Sequence, residues 1–165
     1  TSGYLPLGGS IVGSRIAEVM RAEGGEFAHG YTYSGHPTVC AVALANINAL
    51  DSEGVIDKVR EDTAPYLAER LGSLADHPIV GEARSIGLMG AIEIVADKAS
   101  GERFHKDLGA GGVCRDHCFA NGLVMRAVGD SMIVSPPLVI TRSEIDELVE
   151  KARRCLDLTA AQLSA

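Results

Sequence analysis

The stretch that decides the fold is LVMRAVGDSMIVSPP, which runs from Leu123 to Pro137. Two short apolar runs, Leu123–Arg126 and Met132–Ser135, flank the pair Gly129-Asp130. A glycine-containing turn pair between two apolar runs is a typical signal of a β-hairpin. The stretch therefore predicts two antiparallel strands, and Pro136-Pro137 separates them from the next element of the chain.

A helix is predicted on each side of this hairpin. Leu108–Asn121 has a helical pattern, and Gly122 stands at its C-terminal cap position. After the hairpin, Thr141 and Glu144 form a capping box, which marks the start of a final helix. The predicted buried stripe of that helix consists of Ile145, Leu148, Val149, Ala152 and Leu156.

The segment before the first of these helices predicts further strands and a bent helix. Val80–Val95 is apolar enough for strands, with Gly87 and Gly90 expected as bends or bulges. Gly54–Leu74 is amphipathic with helical spacing, and Pro65 inside it should kink or break the helix. Helices on one face of a small, largely antiparallel sheet make an α/β sandwich.

The first part of the chain has a different character. It begins with a glycine-rich loop that leads into a short predicted strand at Ile11-Val12, and it has no initial Met. Thr38–Leu50 is apolar on nearly every side, which is typical of a helix buried in a larger body. We therefore expect residues 1–51 to be the edge of another domain, residues 52–165 to be a small domain, and the sequence to be a fragment.

Composition and charge exclude several classes of function. Of the 165 residues, 46% are hydrophobic and 22% are charged, which is a globular composition. The formal net charge of −7 and the absence of a basic stripe argue against nucleic-acid binding. Apolar runs are interrupted too often for a span of ~20 residues, so no membrane segment is expected.

The cysteines indicate a reducing compartment. Cys40, Cys114, Cys118 and Cys155 are irregularly spaced and contain no CxxC pair. A zinc site needs four ligands, and the cluster around His117 has no second half, so buried free thiols are expected and no metal site. No signal peptide is visible, and a cytoplasmic location is expected.

Three segments together resemble the class III (omega) aminotransferases, which depend on pyridoxal phosphate (PLP). They are TSGYLPLGG at 1–9, HGYTYSGHP at 29–37, and LVMRAVGD at 123–130 with SPPL after it. GLMGAIE at 87–93 and TRSEID at 141–146 extend the resemblance over essentially the whole chain. It implies fold type I of the PLP-dependent transferases, C-terminal portion only: 1–51 as the end of the large PLP-binding domain and 52–165 as the small α/β C-terminal domain.

The resemblance assigns a cofactor role to Thr32. Its neighbours Gly30 and Gly35 let backbone N–H groups point at an anion, and its hydroxyl can donate as well. The matching family residue binds the PLP phosphate of the partner subunit, which implies a homodimer with a shared active site. Tyr31 matches an aromatic position that contacts the neighbouring site.

Arg126 and Tyr4 are the predicted substrate-binding residues. In the family the residue matching Arg126 is a mobile arginine that grips the substrate carboxylate and swings away for an uncharged amine. The planar guanidinium suits this role because it binds a carboxylate through two parallel hydrogen bonds. Tyr4 follows the position of the family's lysine and is expected to line the substrate pocket.

No catalytic residue is assigned within the sequence. The lysine that holds PLP in the family stands a few residues before the segment matching Thr1-Ser2-Gly3. The four lysines present, Lys58, Lys98, Lys106 and Lys151, do not lie in that context. His29 and His36 are not taken as acid–base groups, because the family uses its lysine for proton transfer. The chain alone is therefore predicted to be inactive.

The function implied by the resemblance is transfer of an amino group from an amine or omega-amino acid to a keto acid. The forms HGYTYSGHP and MRAVGD favour pyruvate as the acceptor. Two alternatives stay open: a 2-oxoglutarate-using enzyme of the 4-aminobutyrate or ornithine type, and a non-catalytic truncated module.

Overall fold

The computed structural model describes residues 1–22, residue 24 and residues 27–164. These residues form two compact units, Thr1–Glu53 and Gly54–Ala165. That residues 1–51 are the end of a large PLP-binding domain, and residues 52–165 a small C-terminal domain, stays a prediction.

The second unit contains a four-stranded sheet. Its strands are β1 (Val80–Ile86), β2 (Met89–Ile94), β3 (Arg126–Val128) and β4 (Ser131–Val134). The spatial order is β1-β2-β4-β3, and every neighbouring pair is antiparallel. The predicted antiparallel sheet is thus confirmed, and the predicted hairpin is β3–β4.

The helical segment before β1 loses its regular α-helical hydrogen bonding just before Pro65, where a kink or break was predicted, but it continues through the proline. It consists of α3 (Val55–Lys58), a π-helical turn (Val59–Thr63), α4 (Ala64–Gly72) and a 3₁₀ turn (Ser73–Asp76). Pro65 has no N–H and its ring crowds the preceding turn, so the regular hydrogen-bond ladder cannot run through it. The chain adapts by widening: the N–H of Ala64 donates to the carbonyl of Val59, five residues back.

Two longer helices complete the second unit. They are α5 (Ala110–Ala120) and α6 (Arg142–Leu163). The predicted capping box is present: Thr141 Oγ1 accepts from the N–H of Glu144 at 3.3 Å, and Glu144 Oε2 accepts from the N–H of Thr141 at 2.8 Å. The largest fully buried side chains between helices and sheet include Leu67, Leu71, Leu74, Ile92, Ile94, Met132, Ile145 and Leu156.

One expectation about the glycines of the sheet is wrong. Gly87 lies in the tight turn between β1 and β2 with a φ of +58°, as expected. Gly90, by contrast, is neither a bend nor a bulge: it pairs regularly with Ser85 and with Val134. It is glycine because Leu71 packs over it, and a Cβ there would lie 2.5 Å from Leu71 Cδ2. The register shift of the sheet falls instead between Val80 and Glu82.

The first unit contains two helices, α1 (Ser14–Ala22) and α2 (Pro37–Ser52). The predicted strand at Ile11-Val12 is wrong. Both residues are exposed and in no regular element. A strand needs a neighbouring strand for its hydrogen bonds, and the described part of this unit contains none.

The apolar helix α2 leaves most of its surface uncovered by the described residues. Ala43 is buried, whereas Leu44 and Ile47 are exposed. In the described part of the chain no single helix is long and apolar enough to cross a membrane. Pro37–Ser52 and Val55–Asp76 pass that test only as a pair and only by length and composition.

Three of the four cysteines lie in the core between α5 and α6. Cys114, Cys118 and Cys155 are buried and reduced, and Cys40 is half-buried. A hydrogen bond between the first two lowers the pKa of Cys114, and the same bond together with burial raises the pKa of Cys118. Burial raises the pKa of Cys155. No group of side chains with metal-binding potential occurs within the ranges described.

The contact between Gly90 and Leu71 predicts the outcome of a glycine substitution. Gly90→Ala should lower the free energy of unfolding by about 1–3 kcal/mol, because the new methyl group overpacks the core. Gly72→Ala is the matched control, since nothing lies within 4 Å of a Cβ at Gly72 and its φ is not positive. Urea denaturation followed by circular dichroism measures both, and equal midpoints for the two variants would contradict the packing argument.

The buried thiols predict a second outcome. In native protein carrying Cys40→Ser, iodoacetamide should leave Cys114, Cys118 and Cys155 unmodified, because reaction needs an accessible thiolate. In denaturant all three should be carbamidomethylated, as peptide mass spectrometry would show. Rapid labelling of Cys118 in the native protein would mean that the helices α5 and α6 separate easily.

Candidate functional site

The first candidate site is the loop from Gly30 to His36, which we call the tyrosine loop. Its turn is closed by two hydrogen bonds between the same residues: the N–H of Ser34 donates to the carbonyl of Tyr31 at 2.9 Å, and the N–H of Tyr31 donates to Ser34 Oγ at 3.0 Å. Gly35 comes next with a φ of +68°, a conformation that glycine adopts without strain. The sequence therefore specifies a closed turn here.

Thr32 lies at the exposed tip of this turn. Its hydroxyl, its N–H and the N–H of Tyr33 have no hydrogen-bond partner among the described residues. The loop leads directly into the N-terminus of α2, where His36 caps no backbone group with its side chain. A hydroxyl, free backbone N–H groups and a helix N-terminus are the donors that bind phosphate in proteins.

A groove of about 420 Å³ lies beside the tyrosine loop. Tyr31 lines this groove, whereas Thr32 and Tyr4 do not, and Tyr4 is 78% exposed. The lining residues that sequence reasoning missed are Pro6, Leu7, Gly8, Tyr33, Ser34, Gly35, His36 and Val39. Pro6, Leu7 and Gly8 lie in the quoted motif TSGYLPLGG. The motif therefore included these residues, but it did not show that they line a groove.

The two histidines of the loop region have packing roles. The ring of His29 lies edge-on to those of Phe27 and Tyr31, with centroids at 5.8 and 5.7 Å. The ring of His36 lies 6.2 Å from that of Tyr33, and its Nδ1 is buried without a partner in the described ranges. Aromatic contacts of this kind help to fix ring positions.

Arg126 is the second candidate, and strand geometry explains its position. Along the run into β3, Leu123 and Met125 are buried, whereas Val124 is 81% exposed and Arg126 is exposed. Side chains of an extended chain alternate between faces, so Arg126 and Val124 share the outer face with Val128, which is 52% exposed. The core fixes the backbone of Arg126 and leaves its side chain outside.

The guanidinium of Arg126 forms no ion pair or hydrogen bond with any residue that the structure describes. Several other arginines of this unit form ion pairs; for example, Arg70 pairs with Asp146, and Arg153 pairs with Asp76. A flexible, unpaired guanidinium can bind a carboxylate in two parallel hydrogen bonds. Arg126 belongs to the second unit, whereas Tyr4, Tyr31 and Thr32 belong to the first.

Comparison with known proteins gives consistent results. The profile of the family described as aminotransferase class-III matches residues 1–156. A putrescine–pyruvate aminotransferase of Pseudomonas aeruginosa is 59% identical over 165 residues, covering all of this chain and 36% of the relative. The chain spans about a third of the length of the curated relatives that it matches.

Solved structures of transaminases also match this chain. An (S)-enantioselective omega-transaminase from Thermomicrobium roseum matches with a TM-score of 0.90 and 39% identity, over 95% of this chain and 35% of that one. A PLP-bound aminotransferase mutant from Vibrio fluvialis matches with a TM-score of 0.82 and 38% identity, over 90% of this chain and 32% of that one. The chain therefore belongs to the class-III aminotransferase family.

Proposed function

We propose that this chain forms part of a PLP-dependent aminotransferase that moves an amino group from an amine or omega-amino acid to a keto acid, with pyruvate as the favoured acceptor. The observation that carries the proposal is Arg126, an exposed guanidinium without a partner among the described residues. The similarity to an enzyme named for putrescine and pyruvate supports the choice of substrates.

The tyrosine loop fits the phosphate of PLP. Thr32 offers a hydroxyl and a backbone N–H, and the N-terminus of α2 adds the favourable end of a helix dipole. When bound, PLP supplies the electron sink that transamination needs. The contribution of Thr32 is then to hold the phosphate, in the active site of a partner subunit of a homodimer.

Arg126 explains how one pocket accepts two kinds of substrate. With an amino acid or keto acid, its guanidinium forms two hydrogen bonds to the carboxylate. With a simple amine, the unpaired side chain turns towards water, and the exposed side chains of Val124 and Val128 on the same face remain as apolar surface. Such surface suits the alkyl or aryl part of an amine that has no carboxylate for Arg126 to bind.

The proton-transferring lysine is proposed to lie outside these 165 residues. Lys151 pairs with Glu147 at 2.6 Å, and Lys98 donates to the carbonyl of Ala75. Both are thus engaged on the surface of the second unit. We propose the cytoplasm as the location, since three cysteines are buried as free thiols.

The role of Arg126 predicts a selective kinetic defect. In the PLP-loaded enzyme that contains this chain, Arg126→Ala should raise KM for pyruvate and for amino acids by roughly tenfold to a hundredfold, the effect of losing a charged hydrogen-bonded pair. Turnover of an arylalkylamine without a carboxylate, in its own half-reaction, should change little. Single-turnover kinetics separate the two half-reactions, and Arg126→Lys is the control that keeps the charge but loses the fork.

An equal loss for both half-reactions would refute the carboxylate role. Parallel rates with pyruvate and 2-oxoglutarate identify the acceptor, and a preference for 2-oxoglutarate would favour the 4-aminobutyrate or ornithine type. No turnover with any keto acid would favour the non-catalytic module.

The role of Thr32 predicts a defect in cofactor binding. Thr32→Val keeps the shape of the side chain and removes its donor, so the Kd for PLP should rise roughly tenfold to a hundredfold, as expected for one hydrogen bond to a charged group. Thr32→Ser keeps the hydroxyl and should bind PLP as the unchanged protein does. Equilibrium dialysis of the apoenzyme measures both, and equal Kd values for the two variants would contradict the assignment.

A further inference from the structure

The N-terminus of α5 is capped by a side chain that is remote in sequence. Its N-cap residue is Gly109, which has no side chain to accept a hydrogen bond. The first N–H groups of a helix lack partners within the helix, and a neighbouring side-chain oxygen commonly supplies one. Here the carboxylate of Asp130 does so: its Oδ1 accepts from the N–H of Gly111 at 3.0 Å. A negative charge at this end of a helix is also electrostatically favourable.

The contact is so close that only glycine fits. A Cβ at Gly111 would lie 2.0 Å from the carbonyl oxygen of Gly129, which is impossible without movement of the backbone. The next residue, Gly112, has nothing within 4 Å of an added Cβ. The requirement for glycine at 111 therefore comes from the β3–β4 turn and not from the helix itself.

The turn is also held from the other side. The carbonyl of Asp130 accepts from the N–H of Ile94, at the end of β2, at 2.8 Å. Asp130 thus joins three elements: its side chain binds α5, its carbonyl binds β2, and its backbone closes the hairpin β3–β4. Between Val128 and Ser131 the hairpin has only two connecting residues, with a φ of +57° at Gly129.

This arrangement concerns the strand that carries Arg126. Strand β3 is three residues long and lies at the edge of the sheet, paired only with β4. So short an edge strand has few hydrogen bonds of its own to fix its direction. Its far end is anchored by the turn, four residues from Arg126, and that anchor is the contact of Asp130 and Gly129 with Gly111.

We propose that Asp130 and Gly111 are positioning residues for Arg126: by fixing the β3–β4 turn to α5, they set the backbone from which the guanidinium reaches the substrate carboxylate. This proposal rests on the proposed carboxylate role of Arg126. Neither residue touches substrate. Their effect on catalysis is geometric, and a displacement of about 1 Å in a binding group can cost up to a hundredfold in rate.

The test compares four variants in the PLP-loaded enzyme that contains this chain. Asp130→Ala removes the acceptor, Asp130→Asn keeps it, Gly111→Ala displaces the turn, and Gly112→Ala is the matched control on the same helix. For Asp130→Ala and Gly111→Ala we expect KM for pyruvate and amino acids to rise by roughly tenfold, with KM for an amine that has no carboxylate changed less than about twofold. Asp130→Asn and Gly112→Ala should behave as the unchanged enzyme.

A second measurement reports the contact without relying on turnover. Hydrogen–deuterium exchange at the amide of Gly111 should be faster in Asp130→Ala and restored in Asp130→Asn, since exchange follows the opening of the hydrogen bond. This readout also covers the case in which Gly111→Ala does not fold. Faster exchange with unchanged KM values would overturn the positioning role.

The outcome for Arg126→Ala separates the two proposals. If Arg126→Ala affects carboxylate substrates selectively and Asp130→Ala does not, the positioning role is wrong and the proposed function stands. If Arg126→Ala affects both half-reactions equally, the carboxylate role is wrong and the positioning role falls with it. A defect of Asp130→Ala that is equal for amine and amino acid would make Asp130 a residue of general stability only, against the proposal.

Discussion

The alternation of side chains along residues 123–134 is the constraint on which the rest of the second unit depends. Met125 and Met132 face the core, and Arg126 faces out. Because the period of a strand is two, a slip of one residue would bury the guanidinium and expose both methionines. An unpaired buried charge is among the most costly defects in a protein, so the same register that forms the core also holds Arg126 at the surface.

The charge distribution of the second unit supports a distinction between structural and functional arginines. Arg70 binds Asp146 at 2.6 Å across α4 and α6, and Arg142 binds Asp62 at 2.6 Å. These pairs join elements that are about eighty residues apart in sequence. Arg126 has no such partner among the residues described, although the chain has an excess of carboxylates. A guanidinium kept apart from acidic neighbours retains its full capacity for a carboxylate from outside.

How much of this could be predicted from the sequence depends on whether the signal was local. The capping box at Thr141 and the hairpin at Gly129-Asp130 are each determined by a few adjacent residues, and both predictions are confirmed. At Pro65, where a kink or break was predicted, the helix instead widens to a π-helical turn. The strand at Ile11-Val12 was wrong because a strand exists only with a neighbour, which short-range patterns do not reveal.

The glycines of the second unit also show that local sequence patterns do not reveal tertiary contacts. Gly87 could be assigned to a turn from its sequence context, because its positive φ is a local requirement. Gly90 and Gly111 are glycines for a different reason: Leu71 lies against one, and the carbonyl of Gly129 lies against the other. Their partners are about twenty residues away in sequence, so no local pattern identifies them. The candidate site was affected in the same way: the motifs named Thr32 and Arg126, but the anchor at Asp130 emerged only from tertiary contacts.

The two candidate sites differ in how their binding groups are held, and the proposed ligands account for the difference. The tyrosine loop is closed by the paired hydrogen bonds of Tyr31 and Ser34, so its free donors are preorganised. A phosphate that stays bound through every turnover gains most from such a fixed site, because no ordering cost recurs. A pocket that alternates between a carboxylate and an apolar group needs the opposite: a fixed backbone with a long, free side chain. Arg126, on a strand anchored at its turn, combines these two properties.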